Sequence, residues 1–143
     1  TWVLTLNQEV ERAAANIYYS TSRQVSLIDV HDWHFITAAV TLKKALNIPY
    51  IYSVESLEEH RSHGVNSPFN MGIKSIEWLG MYEAKKLIVK SEWMRNEVVR
   101  LFKVPPEKIL VISPKSVSWL KNVLEAYKSV ARGGTSAWLE NWP

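Results

Sequence analysis

Four consecutive residues, His31-Asp32-Trp33-His34, set two imidazoles, a carboxylate and an indole side by side. Imidazole and carboxylate hydrogen-bond to hydroxyls, and an indole face stacks on a sugar ring, so the group suits a polyhydroxyl ligand. The same residues also have a purely structural reading, in which Asp32 caps a helix beginning near Phe35, Trp33 is core and the imidazoles serve backbone groups. His60 and His63 repeat the spacing of His31 and His34, and with Asp32, Glu55 or Glu59 they offer donors of the kind zinc takes. No third element fixes a metal geometry. Glu58-Glu59 beside Arg61 reads as a solvated charge run. Glu77 and Glu83 lie six positions apart, on different helical faces, and form no acid–base couple. The sequence has no Gly-x-Gly-x-x-Gly, Walker loop or Gly-x-Ser-x-Gly elbow, so nucleotide binding by glycine-rich devices has no support.

The elements that would position these residues follow from the apolar pattern, which alternates between helical spacing and short β-rich runs, the sign of βαβ units on a parallel sheet. Five helices and four strands are expected. The helices are Leu6 to Tyr19, Ile36 to Leu46, Gly72 to Tyr82, Ser91 to Phe102 with Ser91 as N-cap, and Ser118 to Val130; the strands are Val25 to Val30, Tyr50 to Val54, Lys86 to Val89 and Ile109 to Ile112. In such a sheet ligands sit beyond the carboxyl ends of the strands, where His31 to His34, Glu55-Ser56, Lys90-Ser91-Glu92 and Ser113-Pro114 fall. Glu58 to Asn70 is the one long connection and reads as a binding loop at that edge.

Composition bounds the rest. A chain of 143 residues, 47% apolar, fits one Rossmann-like α/β domain over residues 1–132, followed by a tail, 133–143, whose Trp138, Leu139 and Trp142 would dock on the body or on a neighbour. The formal charge of +3 is spread along the chain, which argues against nucleic acid as a partner. Without cysteine there are no disulfides or thiolate metal sites, which fits a cytoplasmic protein. No apolar run approaches the ~20 residues of a membrane span, and the start has no signal-peptide pattern, so no membrane association is expected. No cofactor is indicated.

The segment Leu27-Ile28-Asp29-Val30-His31-Asp32-Trp33-His34 resembles the His-Asp-Trp-His segment of glycogen and starch synthases and related GT-B glucan glycosyltransferases. Glu55 to Arg61, Ile73 to Trp78, Ala84 to Met94 and Pro105 to Ile112 follow in the order and spacing of the second half of their amino-terminal domain. The resemblance covers roughly Leu6 to Ser113. It implies a partial GT-B amino-terminal domain that receives the acceptor glucan, with His34 in the cleft near the transferred glucose; Asp32, Trp33, Glu55 and Arg61 are expected beside it as further ligand contacts. Three departures stand beside it. Glu55 replaces a histidine usual after the second strand; the Ile-Pro-Asn-Gly-like linker is replaced by Ile112-Ser113-Pro114-Lys115; and Ser118 to Lys121 looks like the terminal helix that crosses back onto the amino-terminal domain. The family's opening strand with its glycine-rich loop, and its nucleotide-sugar domain, have no counterpart in the chain. Whether the chain is an enzyme in its own right is therefore uncertain, and a nucleotide sugar enters only if a donor domain is supplied. The alternative function is a non-catalytic interaction module that pairs with itself through a truncated sheet edge or the tail.

Overall fold

The computed structural model describes residues 2–131; the expected tail lies outside them. Four strands, β1 (Ile28–His31), β2 (Tyr50–Ser53), β3 (Lys86–Val89) and β4 (Ile109–Val111), form one parallel sheet in the order β1-β2-β3-β4. The register sets Ile28 opposite Tyr50, Ile51 opposite Lys86 and Leu87 opposite Ile109. The helices are α1 (Trp2–Ser20), α2 (Ile36–Leu46), α3 (Glu58–Arg61), α4 (Pro68–Glu83), α5 (Glu92–Phe102) and α6 (Trp119–Val130). Short 3-10 turns cover Trp33–Phe35 and Pro106–Lys108.

A parallel sheet that adds strands in one direction with right-handed crossovers must leave every crossover helix on the same face. That face holds the main core, where Val30, Tyr50, Tyr52, Leu87, Val89 and Ile109 pack beneath α2, α4 and α5. Alternation sends Ile51, Ile88 and Ile112 the other way, onto Ala126 and Val130 of α6. Burial on both faces explains the unbroken apolar runs of the strands. Asp29 lies between Ile28 and Val30 and so faces the α6 side, a placement that decides its chemistry below.

Three boundaries differ from expectation by more than one residue. Strand β1 begins at Ile28 rather than Val25, because pairing starts where the Ile28 N–H meets the Pro49 carbonyl (3.1 Å) and Tyr50 opens β2. Helix α4 begins four residues early, at Pro68: Ser67 accepts from the Asn70 N–H (3.1 Å), and Pro68 brings a preset φ to the first position. The expected loop is further shortened by the single turn α3. Helix α1 starts at Trp2 rather than Leu6.

Two close contacts fix the α2–α4–sheet packing. Tyr50 donates its hydroxyl to the Gly80 carbonyl at 2.7 Å. A Cβ on Gly80 would lie 2.6 Å from Ile36 Cδ1, so the approach of the two helices requires glycine there.

Candidate active-site edge

The carboxyl ends of the strands gather the predicted residues into two separate groups. The first forms where β1 leaves the sheet. Asp32 holds its main chain to the Ser53 carbonyl (3.1 Å) with φ 62° and ψ 178°, a conformation essentially reserved for glycine. The expected helix cap is not made. The Asp32 side chain accepts no capping hydrogen bond; its Oδ1 is buried without a hydrogen-bond partner and lies 3.9 Å from Arg61 Nη1. An unsatisfied carboxylate oxygen on a strained backbone is costly on both counts.

His34 follows in the 3-10 turn. Its side chain is 38% exposed, its ring stacks on Trp33 at 4.3 Å between centroids, and its Nδ1 stands 3.9 Å from Asp32 Oδ2, beyond hydrogen-bond reach. Trp33 is itself partly exposed and belongs to neither core cluster, which corrects its reading as core. The turn is clamped from α1. Buried Asn7 donates to the His34 carbonyl (2.6 Å) and accepts from the Ala38 N–H (3.0 Å). Sequence reasoning passed over Asn7, although it stands three positions before Val10 on the stripe α1 buries.

Arg61 holds the second wall. Its Nε donates to Glu58 Oε2 (3.0 Å), its Nη1 to Ser56 Oγ (2.6 Å) and its Nη2 to Glu77 Oε2 (3.3 Å). Glu58 is buried rather than solvated, as the charge run had suggested, because Arg61 and the Ser62 hydroxyl both bond its carboxylate. Glu59 points to Lys74 instead (3.0 Å). Glu77 has no exposed surface, and both its oxygens accept from the Glu58 N–H at 3.1 Å. Burial pushes the Glu77 carboxyl up to about 7, against the Glu58 N–H and the Arg61 guanidinium, which favour its charged form. The sequence signal was available: Glu77 lies four residues after Ile73 and four before Met81, on the buried stripe of α4.

Glu55 is not in this group. It joins His31 on the α6 side, where Asp29, Ser53 and Tyr127 complete a chain. His31 Nε2 meets Asp29 Oδ2 at 3.2 Å and His31 Nδ1 meets Glu55 Oε1 at 3.1 Å, while Lys90 pairs with the other Glu55 oxygen. Ser53 and Tyr127 donate their hydroxyls to Asp29, at 2.8 and 2.5 Å. Burial lowers the proton affinity of His31, but Asp29 and Glu55 outweigh it and hold the pKa above the ordinary value. With a carboxylate at each ring nitrogen, His31 satisfies both only as the imidazolium, a tie rather than a base.

Against this geometry stand two likenesses. Residues 5–114 match the family described as Glycosyltransferase Family 4. The chain belongs to that family. It is also 31% identical over 114 residues to an uncharacterized glycosyltransferase of Methanocaldococcus jannaschii, an alignment covering 78% of this chain and 28% of that protein's length.

The histidine metal site is not supported in this family 4 domain. His60 bonds Glu97 on α5 (2.9 Å) and lies against Trp93, while His31 is engaged on the α6 side. Among the described residues no three His, Asp or Glu side chains are grouped to hold a metal ion. No helix among them is long and apolar enough to cross a membrane.

Proposed function

We propose that the chain is the acceptor side of a glucan glycosyltransferase of the glycogen or starch synthase type, binding the glucose units of an α-glucan and acting in transfer only together with a nucleotide-sugar domain. The observation that carries the reading is Asp32: a carboxylate oxygen with no hydrogen-bond partner, on a backbone that strain alone would not retain, beside the open ring of His34. A sugar hydroxyl would donate to the partly exposed Asp32 carboxylate, with Trp33 supplying a stacking face, Arg61 the opposing donors and His34 the group nearest the reacting sugar. Glu55 serves the same edge from the α6 side. Membership of family 4 supports sugar chemistry, and the His-Asp-Trp-His resemblance supports glucan within it. Neither half of a transfer site alone orients both substrates and excludes water, and the reaction depends on both. The protein is read as cytoplasmic. Calorimetric titration with maltooligosaccharides tests the assignment: saturable heat in the parent chain, lost in His34→Ala at unchanged melting temperature, is the expected result. Unfolding of His34→Ala, or undiminished binding by it, would return His34 to a structural role.

A second reading keeps one observation of its own. Among the described residues strand β1 pairs only with β2, and its other side adjoins an apolar groove of about 330 Å³ formed by Val10, Ile28, Val30, Phe35, Ala38 and Leu42. An unpaired strand beside apolar surface is a template for another chain. A self-associating interaction module would use that edge, and sedimentation as a strict monomer would set it aside.

A further inference from the structure

Beneath α6 the sheet edge opens into a cleft of about 360 Å³, on the opposite side from Asp32 and Arg61. Its size falls within the ~300–1,000 Å³ of small-molecule sites. Ile88, Ile112 and Val123 make an apolar floor. Trp119, with 43% of its surface exposed, lines it together with Pro114. The polar lining is the Tyr127–Asp29–His31–Glu55–Lys90 chain described above.

That lining has a definite charge and a definite hydrogen-bonding capacity. Two carboxylates stand against one ammonium, with the His31 ring held between Asp29 and Glu55, so the cleft has no surplus of positive charge with which to hold a phosphate. Yet its groups are not exhausted by one another. Lys90 gives one of three N–H donors to Glu55, each carboxylate oxygen has a further lone pair, and the Ser53 hydroxyl, which donates to Asp29, can still accept. Donors and acceptors in alternation around an apolar floor, with an indole at the side, match a neutral ring that carries hydroxyls on its rim and C–H bonds on its faces.

We propose that this cleft is a second saccharide subsite, which takes an uncharged pyranose ring between Trp119 and the Glu55–Lys90 pair, apart from the His34 site. The inference rests on reading the chain as a saccharide-binding domain and is tested separately from His34. Nitrogen-edited NMR of the whole chain is titrated with maltotriose, chitotriose and mannotriose as neutral probes and with glucose 1-phosphate as the charged one. The expected result is that at least one neutral trisaccharide saturably shifts the Trp119 indole N–H and the Lys90 amide. The same shifts persist in His34→Ala and weaken tenfold or more in Trp119→Ala and in Lys90→Met; these side chains are exposed enough for both variants to fold, with melting temperature as the control. The proposal falls if no neutral sugar moves those signals, or if glucose 1-phosphate binds there more tightly than any of them. Shifts confined to Asp32 and His34 would remove the cleft and leave the proposed function standing; shifts confined to the cleft would do the reverse.

Discussion

Asp32 is where local chemistry and local strain disagree most. A residue with φ 62° and ψ 178° carries ~1–3 kcal/mol of backbone strain, and glycine would relieve it at a cost of roughly 0.5–1 kcal/mol in chain entropy. Asp32→Gly is therefore expected to raise unfolding free energy by about 1 kcal/mol in urea melts while weakening sugar binding. A variant that is less stable would mean that the carboxylate supports the fold. Glu77 gives a pH prediction of opposite character. Its folded pKa, about 7, lies above the ordinary 4.5, so the native state binds the extra proton. The stability this contributes is fully present below pH 4.5 and is lost as pH rises through 7. A tenfold change in proton affinity is worth roughly 1.4 kcal/mol, so the loss is on the order of 3 kcal/mol. Urea melts from the ordinary carboxylate range up through neutral pH should show it, and Glu77→Gln should flatten that slope. The same slope in Glu77→Gln would assign the titration to another group.

At the scale of elements, the α2–α4 contact makes a paired test of two glycines on one helix. Gly80→Ala drives a Cβ into Ile36 and should cost ~1–3 kcal/mol, as overpacking does. Gly72→Ala meets nothing within 4 Å and should gain up to about 1 kcal/mol from helix propensity. Equal thermal shifts in the two variants would contradict the packing described here. The elements were also what the sequence made most legible. Strand β3 and helix α2 lie where periodicity sets them, and Ser91 accepts from the Met94 N–H as a cap should (3.1 Å). The site was legible only in part. That Asp32 and His34 stand together beyond a strand end could be read from types and order. The division that sends Glu55 to the α6 side could not, because it depends on which way each residue leaves its strand. Glu58 and Glu77 were missed because a carboxylate's burial is decided by a partner distant in sequence, here Arg61, and spacing along one helix does not disclose it.

The whole molecule, over its described residues, is a sheet whose strands follow one another in a single direction. Helices α2, α4 and α5 cover one face, α6 covers the other, and a polar rim runs along the carboxyl edge. That rim is the proposed acceptor wall, and the sequence supplies no glycine-rich cradle for a nucleotide beside it. Incubated with a nucleoside diphosphate glucose and a maltooligosaccharide, the chain alone is expected to release no nucleotide above background; steady release would show that it needs no donor domain. The most direct test of the central claim, that the Asp32–His34 corner is a sugar site, is to follow the His34 ring resonances while maltotriose is added. The expected result is a saturable shift of His34, absent from His60 and lost in Asp32→Asn. Binding that leaves the His34 ring unmoved would contradict the claim.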